Sequence, residues 1–286
     1  KLVRALFEAT QLILKHKPAA VLGMGGFVAG PGCLMAAILG KPVLIHEQNA
    51  VAGLTNKLLA KVAKQVLEAF PNTFATHKKV LAVGNPVRQA ITTLPTPNER
   101  FQLRPAQLSL LVVGGSLGAL ALNENVPKAL ALLDENLRLN VLHQSGAKTL
   151  DVAQKMYAEQ GIQAEVVSYI EDMASAYAKA DLVICRAGAM TISELAAVGV
   201  GSILVPYPYA VDDHQTANAA YLADQKAAIL MPQPSLTPEH LADTLRSLLQ
   251  DRTTLLAMAE QARGLAKPHA TTEVANKCKQ FAKCTA

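Results

Sequence analysis

The sequence predicts an α/β protein with two Rossmann-like domains facing a cleft, and three observations carry this. Short, continuously apolar runs recur along the chain, as expected of strands covered on both faces. Longer helical patterns separate them in strict alternation, which is the mark of a parallel sheet. The alternation also runs twice, interrupted by TLPTPNER (93–100), whose prolines and polar residues read as a linker.

The elements follow in order. LVRALFE (2–8) opens an amphipathic helix. AAVLG (19–23) is a strand running into a Gly-rich turn, and PGCLMAAILG (31–40) is a helix ending at Gly40. KPVLI (41–45), AKQVLEA (63–69) and KVLAV (79–83) are further strands. After the linker, SLLVV (109–113) is a strand entering GGSLGA (114–119), with a helix to about Leu133. LNVLHQS (139–145), AEVV (164–167), DLVIC (181–185), GSILVP (201–206) and AAIL (227–230) complete the second series. The expected domains are 1–95 and 96–267. A last helix, near 270–284, follows the break at Pro268 and is expected to pack back on the first domain.

Composition narrows the function. The chain has 286 residues, 51% hydrophobic and 17% charged, enough for two sizeable cores. Aromatic residues make up 4%, with no Trp, which argues against the stacking platforms of a nucleic-acid binder. No run of eighteen apolar residues suggests a membrane span. Cys33, Cys185, Cys278 and Cys284 lack metal-site spacing and suggest a reduced, cytoplasmic protein. Residues 1–90 carry eleven Lys or Arg against three Asp or Glu, a net of +8; the whole chain is +5, so the remainder carries −3. A basic first domain points to an anionic partner.

Several polar clusters sit where strands end. VLIHEQN (43–49) passes from apolar to polar without a break. Ligands of open α/β sheets bind beyond the strand carboxyl ends, so the cluster either lines a site or caps the next helix. GGSLG (114–118) lets backbone approach a phosphate at a helix N-terminus, with the Ser116 hydroxyl adding a donor. It is not the dinucleotide fingerprint, because G-x-G-x-x-G and the following acidic residue are missing; GMGGFV (23–28) fails likewise. In RAGAMTISE (186–194), Thr191 and Glu194 have capping-box spacing, while a carboxylate there could equally accept two ribose hydroxyls. Asp212 and Asp213 are adjacent, a poor geometry for one ion, so no metal is expected. No G-x-S-x-G elbow or Walker A motif is present.

In order, MGGFVAGP (24–31), HEQN (46–49), GNPVR (84–88), GGSLGA (114–119), RAGAMTISE (186–194) and DHQTANA (213–219) resemble the motifs of the MurG family of N-acetylglucosaminyltransferases. The resemblance spans essentially the whole chain. It implies a GT-B fold without a cofactor, and inverting transfer of N-acetylglucosamine from UDP-N-acetylglucosamine. The implied acceptor is the C4 hydroxyl of a lipid-linked muramyl pentapeptide, lipid I, giving lipid II at the cytoplasmic face of the plasma membrane. It implies further that Asn49 contacts the donor sugar and that Arg88 and Ser116 lie at the donor diphosphate. Ile170 would help hold the uracil. Ala189, Met190, Thr191, Ile192, Ser193 and Glu194 would line the donor site, with Glu194 on the ribose, and Gln215 would reach the sugar.

Members of that family begin with a strand and a Gly-rich loop containing a His, and this chain starts inside a helix. The expectation is an N-terminally truncated first domain whose catalytic base lies outside the sequence, with His46 as the nearest stand-in. An anionic membrane surface is expected as a partner. Lys57, Lys61 and Lys64 would share one helical face, and Leu2, Leu6 and Phe7, beside Lys1 and Arg4, would offer an apolar edge. The competing readings are a UDP-sugar epimerase of the same fold and a non-catalytic UDP-sugar-binding module.

Overall fold

A computed structural model describes residues 1–102 and 107–283. These form two compact units, one of Lys1–Val87 with the chain from Lys267 onward, the other of Arg88–Ala266.

The first unit contains α1 (Leu2–His16), β1 (Val21–Gly23), α2 (Gly26–Ile38), β2 (Val43–Glu47), α3 (Leu54–Leu59), β3 (Gln65–Glu68) and β4 (Val80–Ala82). The four strands are parallel, in the order β1-β2-β3-β4. Val43, Leu44, Ile45, Val66 and Leu67 are fully buried, which is why these strands read as unbroken apolar runs. The terminal helix Ala270–Lys283 brings Val274 against Leu67 and Val83. Gly84 has φ +87°, and a Cβ there would collide with the Lys267 side chain; only glycine lets these two segments close up.

Helix α3 is shorter than its sequence pattern. The Lys79 ammonium donates to the carbonyls of Ala60 (2.5 Å) and Ala63 (3.4 Å), closing the helix end with a cation. Lys57 is therefore on α3, while Lys61 and Lys64 lie beyond it and share no helical face with it, contrary to expectation. All three are exposed.

The second unit contains α4 (Gln89–Thr92), α5 (Pro97–Gln102), β5 (Ser109–Val113), α6 (Leu120–Ala131), β6 (Asn140–Gln144), α7 (Leu150–Glu159), β7 (Glu165–Val167) and α8 (Met173–Lys179). It continues with β8 (Leu182–Cys185), α9 (Ala189–Val198), β9 (Gly201–Leu204), α10 (His214–Ala223), β10 (Ala228–Leu230), α11 (Pro238–Leu249) and α12 (Arg252–Gly264). Its six parallel strands run β10-β9-β8-β5-β6-β7. The chain travels outward from β5 to β7, then returns to place β8 on the other side of β5. The crevice beyond the carboxyl ends of β5 and β8 is thus the switch point where open α/β sheets bind ligands.

The expected linker 93–100 is partly helical. Thr96 precedes α5, and its backbone N–H and hydroxyl both donate to the Glu99 carboxylate at 2.7 Å. With Pro97 in the first turn this is a capping box, a helix start masked by the prolines. Residues 88–95, expected in the first domain, belong to the second unit. Helix α4 packs on α8 and α9, and Arg263 of α12 donates to the carbonyls of Thr92 (3.5 Å) and Leu94 (3.4 Å).

Cys33 and Cys185 are buried free thiols, Cys278 is a half-buried one, and Cys284 lies outside the described residues. No helix among the described residues is long and apolar enough to cross a membrane.

Candidate functional site

The GGSLG turn occupies the switch point of the second unit. Gly114 N–H donates to the Gln144 carbonyl at 2.9 Å. The Gln144 side chain then clamps the next residue: Gly115 N–H donates to Oε1 (3.2 Å), and Nε2 donates to the Gly115 carbonyl (2.9 Å) and the Ser168 carbonyl (3.3 Å). Gly118 has φ +80°, and a Cβ there would strike the Ser145 carbonyl and the Thr149 hydroxyl. The turn therefore lies flat on the ends of β6 and β7 and exposes Ser116 and Leu117. Helix α6 follows with no side-chain cap, leaving its first N–H groups turned toward the crevice.

The crevice encloses about 770 Å³ and is lined by Gly114–Ala121, Glu124 and Asn125 on one side and by Arg186, Gly188, Thr191, Tyr207, Gln215 and Gln233 on the other. Arg186 builds the far wall. Its guanidinium donates to the carbonyls of Val205 (3.2 Å) and Pro206 (3.1 Å) and to Gln233 Oε1 (2.6 Å), and lies 5.6 Å from the Tyr207 ring centre. Burial pulls its pKa below the ordinary arginine value. Gln215 Oε1 accepts from the Tyr207 N–H at 2.9 Å, which commits the oxygen and leaves the amide nitrogen as the ligand-directed donor.

Helix α9 begins at the crevice and is anchored at its far end, where Arg100 donates to the Gly199 carbonyl and Arg263 to the Ala197 carbonyl. Cations there suit the helix C-terminus. Gly188 is the N-cap of α9, so Thr191 sits inside the first turn and the capping-box reading of Thr191 and Glu194 does not hold. Glu194 lies one turn beyond Thr191 on the same face. Its carboxylate accepts from Arg88 Nη2 on Oε1 (3.3 Å) and from the Tyr177 hydroxyl on Oε2 (3.1 Å). Three helix segments, at Arg88, Tyr177 and Glu194, thus converge on one carboxylate.

Not every residue expected at the site presents its side chain. Ile192 is fully buried and its N–H is spent on the Gly188 carbonyl at 2.9 Å; it belongs to the core, because α9 turns that position toward the sheet. Ala189 is buried, and the Ser193 hydroxyl donates to the Ala189 carbonyl at 3.0 Å. Met190 is 41% exposed on the first turn. Ile170 is buried in the segment after β7. Asp212 and Asp213 precede α10 in left-handed conformations, and among the described residues no three of His, Cys, Asp and Glu gather as a metal site.

The HEQN run of the first unit is a wired knot at the end of β2. His46 is fully buried. Its Nε2 donates to the Gly84 carbonyl at 2.9 Å and its Nδ1 accepts from Gln48 Nε2 at 3.0 Å. Burial lowers its pKa and both ring nitrogens are engaged, so His46 holds two loops together and is no stand-in for a general base. The buried Glu47 carboxylate accepts from the backbone N–H groups of Asn49 (3.1 Å) and Gly53 (3.1 Å) and from Asn56 Nδ2 (2.9 Å). Asn85 Nδ2 donates to the Gln48 carbonyl at 3.0 Å. Asn49 stands half-buried at the tip of this network.

Arg186, Tyr177, Tyr207 and Gln233 were not among the residues read from sequence. Arg186 is the first polar residue after the apolar run 182–185, the same signal that marks His46. Tyr177 carries no such signal, since only the fold, which packs α8 and α9 on α4, brings its hydroxyl to Glu194.

Two parallel-sheet α/β units, the second with a Gly-rich phosphate-type loop at its switch point, define the GT-B class of glycosyltransferases. Residues 1–68 match the glycosyltransferase family 28 N-terminal domain and residues 109–276 the family 28 C-terminal domain. A Hahella chejuensis UDP-N-acetylglucosamine--N-acetylmuramyl-(pentapeptide) pyrophosphoryl-undecaprenol N-acetylglucosamine transferase is 54% identical over 97% of this chain and 77% of its own length. The crystal structure of Acinetobacter baumannii MurG superposes with a TM-score of 0.87 at 46% identity, covering 98% of this chain and 78% of that one. The chain belongs to glycosyltransferase family 28 and, within it, to the MurG family. A UDP-N-acetylglucosamine 2-epimerase at 13% identity and TM-score 0.67, covering 96% of this chain and 75% of that one, shares the fold alone.

Proposed function

We propose that the chain transfers N-acetylglucosamine from UDP-N-acetylglucosamine to the lipid-linked muramyl acceptor lipid I, giving lipid II in peptidoglycan synthesis. The observation that carries the donor half is the crevice at the β5/β8 switch point, with a Gly-rich turn on one wall and Glu194 one turn beyond the other. The names of the close relatives support the acceptor half. The diphosphate sits against residues 114–118 and Ser116, the ribose hydroxyls on Glu194, and the uracil on the backbone at Ile170. Met190 and Thr191 line the nucleotide, and Gln215 reads the sugar.

The acceptor C4 oxygen attacks the anomeric carbon on the face opposite the diphosphate. The new C–O bond forms as the anomeric bond to phosphate oxygen breaks, and UDP leaves with that electron pair. The acceptor hydroxyl proton passes to a general base, which His46 does not supply. Charge growing on the departing diphosphate is met by N–H dipoles of the Gly-rich turn and α6, fixed before the reaction, and by the Arg88 guanidinium.

The acceptor is lipid-borne, so the first unit carries the membrane-side role and the second the nucleotide. Phe27, Val28, Leu54 and Leu58 are 85%, 75%, 71% and 56% exposed on the neighbouring helices α2 and α3, beside the exposed lysines 57, 61 and 64. Apolar area paired with basic charge suits peripheral attachment to an anionic bilayer. Incubation with UDP-N-acetylglucosamine and a soluble lipid I analogue tests the activity. Appearance of the disaccharide and UDP is expected; an epimerised sugar, or nucleotide binding without turnover, would contradict it.

A further inference from the structure

We infer that Tyr177 is a positioning residue for the donor ribose, setting the carboxylate of Glu194 in the orientation that accepts the two sugar hydroxyls. The inference rests on the proposed contact of Glu194 with the ribose and extends it to a side chain that never meets the nucleotide.

Tyr177 is 1% exposed, in the last turn of α8, a helix whose start is fixed by Asp172 accepting the Ser175 N–H at 3.0 Å. Its ring is embedded in the core, and its hydroxyl reaches Glu194 Oε2 at 3.1 Å. The contact is one-directional in effect. A buried phenol has no rotameric freedom to follow a moving partner, so the carboxylate settles where the hydroxyl is. Arg88 Nη2 meets the other oxygen at 3.3 Å, but its side chain is 58% exposed and holds Glu194 loosely. Of the two donors, Tyr177 is the rigid one. An ionised carboxylate has about four acceptor directions. With one taken by Tyr177 and one by Arg88, the remaining two are those a pair of adjacent hydroxyls requires. Burial and the neighbouring Glu194 carboxylate raise the phenol pKa well above its ordinary value, so the hydroxyl stays a donor at every working pH.

The test reads ribose recognition directly, by calorimetric titration of UDP and of 2′-deoxyuridine 5′-diphosphate into the full chain and its variants. The unmodified chain is expected to favour UDP by about tenfold, as for one hydrogen bond to a charged group. Tyr177→Phe keeps the ring in its slot. It is expected to weaken UDP about three- to tenfold while leaving the deoxy nucleotide nearly unchanged, so the ratio collapses. In the transfer assay it should raise KM for the donor and leave kcat in place. Glu194→Gln separates the two layers of the argument. If Glu194→Gln leaves the preference for UDP intact, the ribose reading fails. If Glu194→Gln abolishes it and Tyr177→Phe does not, the Tyr177 inference alone fails. Equal weakening of both nucleotides by Tyr177→Phe would mark a purely structural role and also overturn it. Should Tyr177→Phe melt below the assay temperature, the same ratio is read in trimethylamine N-oxide, which favours the folded chain.

Discussion

The guanidinium of Arg88 lies 3.3 Å from the carboxylate of Glu194, joining two residues more than a hundred positions apart. By resemblance one was assigned to the diphosphate and the other to the ribose. Their contact puts the two side chains in one cluster, as a shared nucleoside diphosphate site would require. It also makes Arg88 the natural counter-charge, ready to share its donors when phosphate arrives.

Arg88→Ala is expected to weaken UDP by about tenfold, the worth of a charge-assisted hydrogen bond. Uridine, which has no phosphate, should bind as before. The melting temperature should hardly move, because an ion pair with an exposed arginine contributes little. Parallel calorimetry with the two ligands checks this. Equal loss for both would place Arg88 away from the diphosphate.

The two positive-φ glycines of the phosphate-type turn should respond differently to alanine. Gly115 has φ +83°, and an added methyl there would meet open space, while at Gly118, with φ +80°, the methyl would strike the Ser145 backbone. Gly115→Ala should cost about 1 kcal/mol, the strain of a left-handed residue. Gly118→Ala should cost more than that, up to about 3 kcal/mol, and should lose UDP binding as the turn lifts off Ser145. Urea unfolding and UDP titration of both variants decide it; equal behaviour would contradict the described turn.

Much of this architecture was readable because burial on both faces leaves little choice of residue. Leu44, Ile45, Leu110, Leu111, Val183 and Ile184 are essentially inaccessible, and each lies in a run recognised as a strand. What escaped depended on partners distant in sequence. The end of α3 is set by Lys79, across β3, so Lys61 and Lys64 could not be excluded from the helix by local pattern. Helix α5 hides behind prolines that in most contexts end structure. At the site, Ser116 stands out because it follows a strand and Gln215 comes with its motif; both line the crevice, whereas Ile192 comes with its motif although α9 turns it inward. Glu194 reads equally as a cap or as a ribose acceptor from sequence, and only the N-cap position of Gly188 removes the first.

Acid should destabilise the second unit through His143. This residue is fully buried, with Nδ1 3.0 Å from the Tyr157 hydroxyl, and burial drives its pKa from 6.5 to about 4. The unfolded chain takes up a proton near pH 6.5 that the folded chain refuses until about pH 4. Stability is therefore intact above that window and falls as pH drops through it, by on the order of 3 kcal/mol. Urea midpoints across that range should decline in the unmodified chain and decline less in His143→Gln. An unchanged slope in the variant would contradict the assignment.

Membrane attachment should be salt-sensitive and should need both charge and apolar area. Replacing Lys57, Lys61 and Lys64 by Gln is expected to weaken binding to anionic vesicles by about 1 kcal/mol per residue. Phe27→Ser with Leu54→Ser should weaken it through lost apolar insertion. Vesicle sedimentation measures both. Equal binding to neutral and anionic vesicles would remove the electrostatic part.

The donor-site assignment is tested most directly by a crystal structure of the full chain with UDP. The nucleotide is expected in the crevice beyond β5 and β8, its diphosphate on residues 114–118, its ribose hydroxyls on Glu194 and its uracil against the backbone at Ile170. UDP seated elsewhere, or seated there with the Glu194 carboxylate still turned wholly to Arg88 and Tyr177, would contradict it.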